Sequence, residues 1–339
     1  MASYFNRFVA TLLVAGALLS GTLSAAVAQS GAFISFAGPG AIVLNSGDYP
    51  PPGTSVSVND QGLLIIRDAG SLQMTGGTVF SLTDLGSVIF EDASLSVVNG
   101  TFLQDGNGYM RVSEGSTLTN NGVFAQSSGT ALVTSDSTFN GSGSVVMTGG
   151  TMTIDGSMIQ TGVTVNGGRL EGGGTIQSNV ANSGGTVGPG NSPGTLTVDG
   201  NYTQGAGGTL EIEIASLLSF DVLDISGTAA LDGILDLTVD AGYAAAAQDG
   251  DMFTIVEWDS FSGAFDTVNG LTFGDGKFFT LDYGATGLTL TVGSESVVAV
   301  PAPGAIALFG LGLAGIGFAR RRRCPRIAPS FPRKRDSSL

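Results

Sequence analysis

Gly167-Gly168-Arg169-Leu170-Glu171-Gly172-Gly173-Gly174-Thr175-Ile176 runs on, after a short gap, into Gly188-Pro189-Gly190-Asn191-Ser192-Pro193-Gly194-Thr195-Leu196-Thr197-Val198 and then Gly208-Thr209-Leu210-Glu211-Ile212-Glu213-Ile214. These residues decide the fold. Leu210, Ile212 and Ile214 alternate with Glu211 and Glu213, so one face of an extended segment packs while the other meets water. Glycine, asparagine and proline punctuate each short run. Gly-Gly-Thr begins at Gly76, Gly149, Gly173, Gly184 and Gly207, in steps of 73, 24, 11 and 23 residues. These lie close to multiples or a half of about 24, the length that a coil of two or three short strands needs. The reading is all-β: a parallel β-helix in which each coil stacks its apolar residues on the last.

Upstream the same texture extends back to about residue 55. Ser55-Val56-Ser57-Val58 and the runs at 63–66, 87–90, 95–98, 131–133, 144–147 and 163–165 are β-branched and apolar, with turn residues between them. Spacings of about 8 to 12 residues fit a sandwich as well, and the glycine repeat favours the solenoid. Downstream, Leu223, Ile225, Leu231, Leu235, Leu237 and Val239 continue the strands. Residues 243–248, with four alanines, read as one helical turn or a loop.

Residues 167–239 resemble the passenger-associated repeat of bacterial autotransporters, and the stretch through 253–256 to 288–292 resembles the end of such passengers. The Pro-Gly-Asn-Ser-Pro-Gly core at 189–194 carries the likeness, which implies a right-handed β-helix. The C-terminal barrel of those proteins has no counterpart here, because too few residues follow 293.

Both ends carry addresses. Arg7 precedes an apolar run over 8–19, and Ala26-Val27-Ala28 offers a small-x-small cleavage site, so residues 1–28 read as a secretory signal peptide. Near the other end stand Val300-Pro301-Ala302-Pro303, an uncharged apolar run over 304–319, and Arg320-Arg321-Arg322-Arg323. Pro301 and Pro303 delay any helix to the residues after them. Sixteen helical residues span about 24 Å, enough to cross a locally thinned bilayer. The arginines would stop transfer and stay cytoplasmic. Gly310-x-Gly312-x-x-Gly315 matches the dinucleotide pattern only formally, without a βαβ unit around it.

Residues 300–323 resemble a PEP-CTERM sorting signal. The resemblance implies processing by an exosortase at the Pro301/Pro303 box, in an exopolysaccharide-producing bacterium with an outer membrane. It implies export, transient anchoring in the inner membrane, and then the cell surface or the medium. Ala302 stands where glutamate is commonest, and residues 324–339 run on past the usual end. The same signal has been labelled the C-terminal domain of ice-binding proteins. The expected organisation is a signal peptide at 1–28, a glycine-rich β-solenoid at 29–166, a passenger-like β-helix at 167–293, the sorting and anchor segment at 294–323, and a basic, disordered tail at 324–339.

Charge and composition narrow the chemistry. Residues 29–299 hold 27 acidic residues against Arg67, Arg111, Arg169 and Lys277, a net of −23, which repels nucleic acid. There is no histidine, and the one cysteine, Cys324, lies in the tail. That removes a Ser-His-Asp triad, a zinc protease and a disulfide framework. A glycosidase needs two placed carboxylates, and scattered acids do not specify them. Asp249-Gly250-Asp251, Asp221 with Asp224, and Asp105 with Asn107 offer oxygens to calcium, but Tyr109 breaks an EF-hand register starting at Asp105. Thr-x-Thr at 117, 151, 195 and 289 shows no common step for an ice lattice. The expectation is a non-catalytic surface protein of a matrix or biofilm, or an adhesin, touching exopolysaccharide or surface components, with no cofactor. The alternatives are a carbohydrate-active β-helix enzyme and an ion- or ice-binding solenoid.

Overall fold

The computed structural model describes residues 96–294 without interruption and, before them, 12–13, 33–36, 40–44, 55–59, 61–67, 73–74 and 78–92. The chain divides into two compact units, Met1–Ser294 and Glu295–Leu339. The signal peptide at 1–28, apart from the strand Leu12–Leu13, lies outside the described residues, as do the sorting segment after Ser294 and the basic tail. Among the described residues no helix is long and apolar enough to cross a membrane.

The first unit is a parallel β-solenoid. Three ladders of strands run along it. The first face stacks Ser55–Val58, Val79–Leu82, Thr101–Gln104, Val123–Gln126, the first half of Ser144–Ile154, the first half of Gly162–Gly172, Val180–Asn182 and Tyr202–Gln204, each parallel to the next. The second face stacks Ser87–Glu91, Tyr109–Ser113, Thr130–Val133, the second halves of those two long strands, Thr186–Pro189, Thr209–Ser216 and Ile234–Val239. The third face runs from Ser96–Val98 through Thr117–Asn120, Thr138–Asn140, Ser157–Ile159 and Thr175–Gln177 to Thr195–Val198. One strand, Gly162–Gly172, passes residue 166 without a break.

Register partners measure the coil. Phe80, Phe102, Phe124, Val145, Val163, Val180, Tyr202, Ala229 and Phe261 follow one another on the first face and are all paired in sequence. Their numbers differ by 22, 22, 21, 18, 17, 22, 27 and 32, so eight turns lie between Phe80 and Phe261. The coil is shortest where one 11-residue strand serves two faces and a glycine pair makes the corner. It lengthens where a hairpin, Thr209–Ser216 with Ser219–Phe220, and then the helix Ala241–Ala246 are inserted.

The Gly-Gly-Thr steps are therefore not the coil. Gly149, Gly184 and Gly207 open the corner between the first and second faces, whereas Gly173 belongs to the corner between the second and third. The step of 11 from Gly173 to Gly184 is thus the distance between two different corners. Gly76 lies outside the described residues. Glycine is required at this corner for two reasons. Gly150 and Gly168 have φ of 76° and 78°, and a Cβ on Gly168 would overlap the Gly150 carbonyl of the coil before.

Side chains on alternate positions fill the interior. Phe80, Phe102 and Phe124 stack with centroids 4.5 and 4.8 Å apart, and Phe124 meets Phe139 edge-on at 5.5 Å. A second column, at the first corner, is mostly amide: Gln104, Gln126, Asn182 and Gln204 are buried there, two residues beyond the first-face stack. Gln104 Nε2 donates to the carbonyls of Gly108 and Thr130 at 2.8 and 2.7 Å. Gln126 Nε2 donates to Gly129 and Thr151, and Gln204 Nε2 to Gly208, Asp232 and Ile234. Inward-facing carbonyls of a tight corner have no strand partner, and the amides supply one.

The far end of the ladder is closed by antiparallel pairing. Met252–Gly263 adds in parallel to Val222–Leu231, then takes Gly287–Ser294 antiparallel, which pairs in turn with Lys277–Tyr283. Phe253 packs edge-on against Phe220, Tyr243 and Phe279, so aromatic rings fill this end. Such a cap withdraws the last parallel edge from further pairing. Asp240 caps the helix, its Oδ1 accepting from the Gly242 N–H at 2.7 Å.

Candidate functional site

The alternation read at 209–214 holds: Leu210, Ile212 and Ile214 are buried, and Glu211 and Glu213 stand outside. Outward on the second face, Arg169 and Glu171 share one strand, and Glu211 lies two coils further on. Gly188 occupies the coil between, and a Cβ there would meet the Arg169 guanidinium. The missing side chain lets Arg169 reach across a coil, donating to Glu171 and to Glu211. Burial pulls the Arg169 pKa down, but the two carboxylates more than offset it and leave it raised.

The loop over Pro-Gly-Asn-Ser-Pro-Gly turns from the second face to the third. Gly190 and Ser192 both have positive φ, 78° and 58°. The Asn191 amide donates to Asp155 at 2.9 Å, and the Ser192 hydroxyl donates to Glu213. Asp221 fixes the loop to the hairpin: Oδ1 accepts from the Gly194 N–H and Oδ2 from the Glu213 N–H, both at 2.8 Å. Burial raises the Asp221 pKa, against the two backbone donors that lower it. Together these residues line an open cleft of about 500 Å³ whose wall carries Glu171, Glu211 and Glu213 beside one arginine.

This cleft is an acidic shelf whose charged groups are mostly engaged. Glu171 and Glu211 are held by Arg169, Glu213 by Ser192, and Asp221 by backbone. It suits hydrogen bonding to a cationic or polyhydroxylated ligand.

The acids considered for calcium are also engaged. Asp105 accepts from the Gly106 N–H, Ser127 and Ser128, which hold it below the usual carboxylate range. Asp249 is held down by Lys277 and Ser294. Asp251 accepts from Tyr243 and the Gln248 N–H. Among the described residues no cluster of three or more carboxylates or other metal ligands forms. The Thr-x-Thr pairs are scattered: 117 and 195 start third-face strands, 151 lies on the second face and 289 in the cap.

The proposed sorting residues Val300, Pro301, Ala302 and Pro303, the stop arginines Arg320, Arg321, Arg322 and Arg323, and the cleavage residues Ala26 and Ala28 lie outside the described residues. Here comparison with known families decides. A model of the PEP-CTERM protein-sorting motif matches residues 299–323. The chain carries a PEP-CTERM sorting motif. The motif implies that an exosortase processes the chain and that it is exported and sorted to the surface. A second family model, described as the B component of a discoidin-inducing complex, matches residues 144–244, which take in the acidic cleft and the helix. No curated protein matches the chain.

Sequence reasoning missed the corner amides. Their signal was present as Phe102-x-Gln104 and Phe124-x-Gln126, repeated 22 residues apart and each followed by a glycine within four residues. The glycine repeat drew attention to the corner and not to the amide that fills it.

Proposed function

We propose that this PEP-CTERM-sorted solenoid is a non-catalytic component of the extracellular matrix or biofilm, or an adhesin, displayed after exosortase processing. The observation that carries the reading is the pairing of the sorting motif at 299–323 with an acidic solenoid whose cleft carboxylates are tied to Arg169, Ser192 and backbone donors. A carboxylate locked by donors is a poor general acid and a good fixed acceptor. The coil is taken as right-handed, the sense that connections between parallel neighbouring strands strongly prefer. The exopolysaccharide of the surface is the expected contact, through hydroxyl and carboxylate groups on the second face.

Removing residues 300–339 tests the sorting half. The truncated chain is expected to leave the surface fraction and accumulate in the periplasm or medium; unchanged localisation would refute the assignment. Turnover of any member of a polysaccharide panel by purified residues 29–294 would overturn the non-catalytic half.

A further inference from the structure

The charge of the solenoid is distributed unevenly. The second face and its corners carry Glu91, Arg111, Arg169, Glu171, Glu211, Glu213 and Asp236. On the first face, no strand or half-strand from Ser55–Val58 to Tyr202–Gln204 holds a charged residue, in a region whose net charge is −23. The outward positions there form a straight column in which Leu103, Ala125, Val146, Thr164, Ala181 and Thr203 are consecutive register partners. Leu103 and Val123 are each 40% exposed, on neighbouring strands, and Val79 and Val146 extend the apolar strip. The third face is neutral too from Ser96–Val98 to Thr195–Val198, but its outward column is hydroxyl-bearing: Thr117, Thr138, Ser157, Thr175 and Thr197.

We propose that the first face is a self-association surface, on which a second copy of this chain packs sheet against sheet. Two bodies of the same high negative charge repel wherever acids face each other. The first face joins neutrality to an apolar strip, so two copies can meet there without confronting carboxylates. Small outward residues, alanine, serine and threonine, keep it flat, as face-to-face sheets about 10 Å apart require. The eight strands of this face, spaced about 4.8 Å and about 13 Å long, give about 500 Å² per copy, or about 1,000 Å² in all. That only just reaches the roughly 1,000 Å² that a specific interface needs, so the dimer is weak and reversible, in the micromolar range.

Sedimentation of residues 29–294, the compact solenoid unit, across about 1–500 μM tests this. The expected result is a monomer–dimer equilibrium that tightens as salt rises, because salt screens the acids of the two copies. Leu103→Asp with Val123→Asp, both at exposed outward positions, should weaken it at least tenfold. Ile159→Asp on the third face should leave it unchanged. A wild-type unit that stays monomeric at the highest concentration and at 0.5 M salt overturns the proposal, whatever other partner the face takes. So does a control variant that weakens association as much as the first-face pair. Neither result depends on the sorting motif, so the failure of either reading is distinguishable from the failure of the other.

Discussion

Replacing Phe124 by alanine is expected to lower the unfolding free energy by about 3–5 kcal/mol, read as a fall in the urea midpoint at unchanged slope. Phe124 is fully buried and stands between two others, with its ring 4.8 Å from Phe102 and 5.5 Å from Phe139. It is therefore the ring through which the first-face stack meets the third face. Truncation removes its transfer energy, leaves a cavity that stacked coils cannot collapse into, and breaks two aromatic contacts worth about 0.5–1.5 kcal/mol each. In a solenoid each coil depends on its neighbours, so hydrogen exchange should accelerate first in Thr101–Gln104 and Ser144–Ile154. A midpoint within error of the wild type would mean that the rings are not stacked in this register.

Gln204→Leu is expected to lower stability by about 2–5 kcal/mol, although leucine has nearly the same volume. The size of the loss comes from hydrogen bonds alone. Gln204 Nε2 donates to three carbonyls, and its Oε1 accepts from the buried Tyr202 hydroxyl at 2.7 Å. Leucine would leave that phenol without an acceptor and the Asp232 carbonyl without this donor. Burial already pushes the Tyr202 pKa up, so ionisation offers the phenol no relief. Leu82, Met147 and Val165 occupy the same column in other coils, so an apolar side chain is not excluded by shape. What differs is the corner beyond it. After Met147 and Val165 the chain turns within one continuous strand, whereas after Gln204 it makes a separate turn through residues 205–208. A midpoint equal to the wild type would show that water satisfies those groups instead.

The architecture was legible because a parallel solenoid repeats a local rule. Alternation at 209–214 placed Leu210, Ile212 and Ile214 inside, and the structure keeps them there. Short β-branched runs such as Ser55–Val58 and Ser87–Glu91 became strands for the same reason. Coil length was not legible from glycine spacing. Glycine marks every corner, so Gly173 and Gly184 record two corners of successive coils and not a period. Residues 243–248 left helix and loop open, and the helix Ala241–Ala246 starts two residues earlier, at the cap that Asp240 provides. The cleft was half legible. The Pro-Gly-Asn-Ser-Pro-Gly loop stood out, but the bridge from Arg169 to Glu211 spans 42 residues and exists only because Gly188 has no side chain between them. No one-dimensional pattern encodes that reach.

The central claim is that sequence-distant residues sit one coil apart along a parallel ladder. Tyr109, Thr130, Thr151, Arg169, Thr186 and Thr209 are successive register partners on the outside of the second face. Spin labels at Tyr109 and Thr209 should therefore lie five steps apart, with a distribution centred near 24 Å at about 4.8 Å per step. Moving the first label from Tyr109 to Thr130 should shorten the mean by about one step. A mean that does not shorten, or two sharply different distances in place of this ruler, would contradict the stacked coil.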